Sequence, residues 1–283
     1  MSVRLQAVAT VDQAINVLDN ESANIYAQTT PTSYASDPPN RSIEARNLYA
    51  KWSIAAEGRL LSVLHREEVL SLFSNPRHRD ISVMPAGEHL LRSVSAEVES
   101  KRALLDSMSK ELRETQTRLA KSPGLPTVVD TNFMVHCLRP DQIRWRSLSD
   151  DDLRLVIPLR VIEELDAMKT DNKERLRKSS REILSWMESL FKGGTGPVTI
   201  RNDDDTTIEI LLSERPRYRP SDPDEEVLDV CHEFQRFVGN SLLVTADSGM
   251  RLRAGAELID VLLMPQKYIK KMKDEIHVVG DFT

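Results

Sequence analysis

Thr127-Val-Val-Asp130-Thr-Asn132 runs two β-branched residues into a carboxylate, and the apolar Phe133, Met134 and Val135 follow. A short apolar run closing on an acid reads as a buried parallel strand with Asp130 at its carboxyl end. In open α/β sheets that end is where ligands sit. Three more stretches place an acid at an element edge: Val161-Ile-Glu-Glu-Leu-Asp166, Asp222-Pro-Asp-Glu-Glu-Val-Leu228 and Leu242-Leu-Val-Thr-Ala-Asp247. Alone, each acid reads as readily as a helix cap, its oxygen taking an orphan N–H. Asp224, with Glu225 and Glu226 behind it, is a good cap candidate. Jointly, Asp130, Glu164, Asp224 and Asp247 are expected to gather at one rim of the sheet. Acids gathered so repel one another unless a cation sits among them. An all-oxygen donor set favours Mg²⁺ or Mn²⁺ over zinc or copper.

Working outward from Thr127, strands and helices alternate through the C-terminal half, which predicts a parallel sheet with helices on both faces. The spacing predicts strands at 127–130, 153–158 and 242–245, with a short hairpin from 198–201 and 206–212. A last strand is expected at 257–263. Helices are expected at 161–169, 173–192 and 224–238, with another around 251–254. A short basic helix over 265–273 and a strand at 277–279 complete the expected order. Gly193-Gly-Thr-Gly-Pro197 lies after a helix and lacks the Gly-Lys-Ser/Thr ending of a phosphate loop.

Lys121-Ser-Pro-Gly-Leu-Pro126 is the clearest punctuation in the chain. It sets the expected domains, a helical module over 1–122 and an α/β domain over 123–283. In the module, Val8, Val11, Ile15, Leu18, Ser22 and Ile25 share one helix face. A second helix is expected from Ser42, as its cap, to Phe73, ended by Asn75-Pro76. Pro76-Arg-His-Arg-Asp80 reads as a solvated turn. A third helix, 86–121, carries an apolar seam of Leu91, Val94, Val98, Leu105, Met108, Leu112 and Leu119, broken by Lys101 and Thr115. An intramolecular bundle is the expected arrangement; pairing with a second subunit or another protein is the alternative.

The 283 residues are 40% hydrophobic and 29% charged, as in ordinary globular proteins. Aromatics are only 5%, so aliphatic packing must dominate. A net charge of −6 gives no overall attraction to nucleic acid, so local basic clusters would have to supply it. Cys137 and Cys231 form no CxxC pair, which excludes a disulfide framework and makes a cytoplasmic setting the default. No signal-peptide pattern opens the chain, because Asp12, Asp19 and Glu21 interrupt its apolar residues, and no run is long enough to span a membrane.

The ordered set of Val128-Val-Asp130-Thr-Asn132, Val156-Ile-Pro-Leu-Arg-Val-Ile-Glu-Glu164-Leu-Asp166, Asp224-Glu-Glu-Val-Leu228 and Val244-Thr-Ala-Asp247 resembles the PIN domain family of metal-dependent ribonucleases. The second motif is most similar to PIN domains found joined to PhoH-like ATPases. The resemblance covers residues 125–265. It implies a flavodoxin-like α/β/α sandwich and an endoribonuclease using Mg²⁺ or Mn²⁺. By motif position Asp130, Glu164, Asp224 and Asp247 carry over as the acids that hold the ion. Asn132 and Thr245 fall at polar positions expected to orient them. Glu164 is preferred over Glu163 and Asp166, whose side chains point elsewhere on the helix. The chain departs from the pattern where Ser248-Gly249 follow Asp247, which speaks against a second tightly held ion.

RNA, single-stranded or flexible, is the implied partner. Arg215, Arg217, Tyr218 and Arg219 form a proline-stiffened loop just before Asp224, suited to phosphate contacts and base stacking. Lys173 and Arg177 belong to a basic run after Glu164; a solvated helix face paired to Glu174 and Glu182 explains that run equally well. A haloacid-dehalogenase-type phosphatase would need an acid where Asn132 stands. A phosphorelay receiver leaves Thr-Ala-Asp247 unexplained, and dinucleotide binding lacks its glycine fingerprint. Two alternatives remain within the fold: a catalytically silent RNA-binding or scaffolding protein acting through the helical module, and a toxin-type ribonuclease.

Overall fold

The structure is a computed structural model and describes residues 3–6, 9–32, 37–201, 205–212 and 222–270. The chain divides into two compact units, one of residues up to Lys121 and the other of most residues from Ser122 onward.

The first unit is helical. Helix α1 (Val11–Thr29) opens on a capping box in which Thr10 and Gln13 satisfy each other's backbone N–H. Its expected apolar face is buried at Val11, Ile15, Leu18, Ser22 and Ile25; Val8 lies outside the described residues. Helix α2 (Pro38–Leu61) begins earlier than the sequence suggested, because two prolines occupy its first turn, where no N–H is needed. Ser42 is therefore inside the helix and not its cap; its hydroxyl donates to Pro39 O and accepts from Gly87 N.

The single helix expected as far as Phe73 is broken at residues 62–65. There the backbone pairs with the N-terminal segment: Leu5 bridges Leu64, Gln6 N donates to Val63 O and His65 N to Arg4 O. Helix α3 (Arg66–Phe73) follows. The basic stretch expected as a turn is instead helix α4 (Pro76–Val83), with Asn75 accepting from His78 N as its cap and Pro76 at its first position. Asn-Pro ends one helix and starts the next.

Helix α5 (Glu88–Ala120) packs on α1 and α2 and buries Val94, Val98, Leu105 and Leu112 of the expected seam; Leu90 is buried in place of the expected Leu91, and Leu91 and Met108 are half-buried. Lys101 is buried with the rest of the seam, its ammonium 2.6 Å from Glu97 Oε1 one turn earlier. Glu97 also accepts from Asn75 Nδ2 at 2.8 Å.

The second unit is a six-stranded sheet of order β3-β4-β2-β1-β5-β6. Its strands are β1 (Leu125–Val129), β2 (Leu153–Pro158), β3 (Val198–Thr199), β4 (Thr207–Leu211), β5 (Leu242–Val244) and β6 (Asp260–Val261). All pairings are parallel except β3 with β4. Flanking helices are α6 (Thr131–His136), α7 (Leu159–Ala167), α8 (Glu174–Phe191), α9 (Pro223–Val238) and α10 (Ser248–Ala256). A mostly parallel six-stranded sheet with flanking helices is the fold class that the motifs imply. Strand β2 is buried along its whole length, as its unbroken Leu153–Pro158 run requires. From β1 the chain steps outward through β2 to β4, then returns to the opposite side of β1 as β5. That reversal makes the carboxyl ends of β1 and β5 the topological switch point, where open α/β sheets form their ligand crevice.

Several boundaries shift. Strand β1 stops at Val129, because Asp130 turns to cap α6. The last strand shrinks to two residues, since Leu258 takes a left-handed φ of 59° and Glu257 still closes α10. Only Gln266–Tyr268 of the expected basic helix is helical, as a single tight turn, and residues 271–283 lie outside the described residues. No helix among the described residues is long and apolar enough to cross a membrane.

The Glu97–Lys101 pair has a measurable consequence. Lys101→Met strands a buried carboxylate and is expected to cost about 3–5 kcal/mol in urea unfolding. Removing both charges with Glu97→Gln and Lys101→Met should recover most of that loss.

Candidate active site

Asp130 is only 3% exposed, at the mouth of the crevice. Its Oδ1 accepts from Phe133 N at 2.6 Å, which starts α6, and its Oδ2 accepts from the Thr245 hydroxyl. Burial raises its pKa to about 6 from an ordinary 3.8. The two hydrogen bonds pull it down, while the charges of Asp224 and Asp247 push it up. Three of the expected acids thus lie within electrostatic reach of one another.

Asp247 caps α10, its Oδ1 accepting from Gly249 N and from Met250 N at 3.2 Å. Its own N–H donates to Thr245 Oγ1 at 2.9 Å, and Asn132 Nδ2 lies 3.5 Å from its Oδ2. Thr245 therefore joins the two strand-end acids with one hydroxyl. Asn132 reaches the fourth acid and not the first.

Asp224 is not the cap of α9. Asp222 is, its Oδ1 accepting from Asp224 N at 3.0 Å. Asp224 instead lies in the first turn with its carboxyl half exposed, 3.4 Å from Arg253 Nη1. Its pKa is raised by partial burial and by Asp222 and Asp247, against the lowering effect of Arg253. Arg253 lies 2.7 Å from Asp222 and holds that carboxyl below its ordinary value.

Glu164 belongs to α7, and its Oε2 accepts from the Thr131 hydroxyl at 2.5 Å. Of the two adjacent glutamates, it is the one that meets the residue following Asp130. Arg160 Nε is 4.0 Å from Glu164 Oε1, and Arg160 Nη1 is 3.9 Å from Glu163 Oε2. Asp166 points to Lys169 at 2.8 Å.

Thr131, Asp222, Arg160 and Arg253 were not singled out from the sequence. Thr131 and Asp222 stand inside the quoted motifs, and an Asp before Pro is a helix-start signal. Arg253 left no signal, since its partners lie about thirty residues back in the chain. Lys173 and Arg177 sit at the start of α8, where the Lys173 backbone N–H and the Arg177 guanidinium both bond to Asp171 and not to the four acids. Arg215, Arg217, Tyr218 and Arg219 lie outside the described residues. Cys137 and Cys231 are buried free thiols, and burial pushes the Cys137 pKa up to about 11 and that of Cys231 up as well, the reverse of an activated nucleophile.

Hydroxyl and carboxylate oxygens make up this site. That chemistry, together with a buried carboxyl destabilised by two like charges, fits a hard divalent cation. Among the described residues no three His, Cys, Asp or Glu side chains are drawn together as a ready-made cation site.

Residues 127–264 match the family described as PIN domain. The C-terminal half of the chain is a PIN domain. PIN domains are generally nucleases and typically use divalent metal ions, so this half has a nuclease-type function in general terms. A solved structure titled a domain of a functionally unknown protein from Methanocaldococcus jannaschii DSM 2661 is similar at 18% identity. The match covers 56% of this chain and 99% of that chain with a TM-score of 0.34. Among curated proteins nothing matches.

The raised pKa of Asp130 sets a pH dependence for the chelator-treated protein. Folded, the carboxyl keeps its proton to about 6; unfolded, it releases it near 3.8. Stability therefore falls as pH rises through that window, and a penalty of about 3 kcal/mol is complete above it. Asp130→Asn removes the ionisation. Its urea unfolding midpoint is expected to exceed that of the wild type near neutral pH and to converge with it at about pH 4.

Proposed function

We propose that the PIN domain is a metal-dependent endoribonuclease that hydrolyses phosphodiester bonds in single-stranded or flexible RNA. Asp130, Glu164, Asp224 and Asp247 hold the ion, Mg²⁺ or Mn²⁺. The observation that carries this reading is the buried Asp130, held at the crevice by Thr245 and under the charges of Asp224 and Asp247. A fold built only for stability gains nothing from that cluster. A divalent ion in it supplies Lewis-acid stabilisation of phosphoryl oxygens.

The chain's own groups have distinct parts in this proposal. Asp130 is held by two hydrogen bonds, one to each oxygen, and each oxygen keeps a further lone pair for an ion. Thr245 and Thr131 orient Asp130 and Glu164, and the N–H groups starting α10 orient Asp247. Asp224 caps no helix, and in this proposal it turns from its 3.4 Å contact with Arg253 to hold the ion.

The test is cleavage of an end-labelled single-stranded RNA with Mn²⁺, with Mg²⁺ and with EDTA. Cutting with either ion, absent with EDTA and in Asp130→Asn, is the expected result. Thr245→Val should keep the fold yet weaken Mn²⁺ binding about 10–100-fold by calorimetry, because it releases Asp130 from its orienting hydroxyl. A folded wild type that neither binds Mn²⁺ nor cuts RNA would overturn the proposal.

A further inference from the structure

Arg253 is held in an unusual way for an arginine beside acids. Both of its hydrogen bonds leave from Nη1, at 2.7 Å to Asp222 Oδ2 and 3.4 Å to Asp224 Oδ2. Nε and Nη2 make no hydrogen bond among the described residues, and the side chain is 38% exposed. Its nearer partner, Asp222, is itself fixed by the helix start, accepting from Asp224 N at 3.0 Å. The guanidinium is thus held at one corner by a capping carboxylate, while its other donors meet no acceptor among the described residues. A planar fork with free N–H groups is suited to bidentate contact with a phosphate.

Its position adds a second argument. Arg253 is carried by α10, the helix that Asp247 caps, and it touches Asp224, which shares the field of Asp247 and Asp130. An RNA strand reaching those acids brings further negative charge to an acidic rim. Of the cations first expected from the sequence, the described Arg177 turns its guanidinium to the Asp171 carbonyl, and Lys173 meets Asp171 through its backbone N–H.

Resting on the proposed nuclease reading, we infer that Arg253 is a substrate-binding residue. Its open guanidinium edge takes a backbone phosphate of the RNA strand over Asp224, and Asp222 is its anchor. The longer contact to Asp224 is the one released when Asp224 turns to hold the ion, and the shorter contact to Asp222 keeps the guanidinium in place.

The test is fluorescence anisotropy of a labelled single-stranded oligoribonucleotide, titrated in Mg²⁺ over a range of salt. The background is Asp130→Asn, so that nothing is cut. Each phosphate contact contributes about 0.7 to the slope of log affinity against log salt for a single strand. Arg253→Gln is expected to weaken binding several-fold and to flatten the slope by about 0.7, and Arg253→Lys to restore the slope. Asp222→Asn keeps the arginine charge but loosens its anchor, and is expected to weaken binding with little change of slope. An unchanged slope in a folded Arg253→Gln protein, checked by its melting temperature, would overturn the inference. Should that variant not fold, wild-type affinity in Asp222→Asn would overturn it instead. A parent protein that binds no RNA at all is a different failure, one that sinks the nuclease reading itself.

Discussion

A single hydroxyl ties this site together. Thr245 Oγ1 has one proton, which it gives to Asp130, and a lone pair, which receives the Asp247 N–H. The direction of the first bond fixes that of the second. Both depend on β1 and β5 lying parallel and in register, Val129 opposite Val244, so that both chains leave the sheet at the same level. The backbone extends the pairing by one step, Asp130 N donating to Val244 O at 3.3 Å. Sheet register is therefore the constraint from which the position of two acids follows. A slip of one residue would turn each strand's side chains to the opposite face and separate the pair.

The same carboxylates that cluster also start helices. Asp130 caps α6 and Asp247 caps α10, while Asp222 caps α9 and Asp224 lies in its first turn, 3.4 Å from Arg253 Nη1. Capping and clustering are compatible because an ionised carboxylate has about four acceptor sites, and the cap takes one of them on Asp130 and two on Asp247. The helix start also lends partial positive charge, which eases the burial of an anion. For Asp130 that help is incomplete, and its raised pKa records the remainder. An acid kept at such a cost to stability is characteristic of a site retained for chemistry.

Much of this was legible in the amino-acid sequence. Val128-Val129 and Leu153–Ile157 announce buried strands, because a sheet covered on both faces needs unbroken apolar runs. The acids at their ends follow from the same registers. What escaped was set by partners far away in the chain. Helix α2 ends where Leu5 pairs with Leu64, and no local signal marks a bridge between segments about sixty residues apart. Arg253 reads as one more surface arginine until the fold brings α10 beside the start of α9. Asp222 was passed over for Asp224 because two acids two residues apart both suit a helix start, and only Pro223 between them distinguishes the cap from the first turn.

Charge near the site is balanced locally and not by the molecule as a whole. The net charge of −6 is spread over a surface where exposed charges are largely screened from one another beyond about 8 Å at physiological salt. What an anionic strand meets at the crevice is decided by the few groups inside that range. Among the described residues, arginines held by carboxylates accompany the acids there: Arg160 by Glu163 and Glu164, and Arg253 by Asp222 and Asp224. Pairing of this kind keeps a cation oriented without cancelling it, since an exposed pair gains little energy and leaves donors free. On the proposed reading, an arginine so placed would keep a site rich in carboxylates open to a phosphodiester. A lysine would supply the charge without the planar fork.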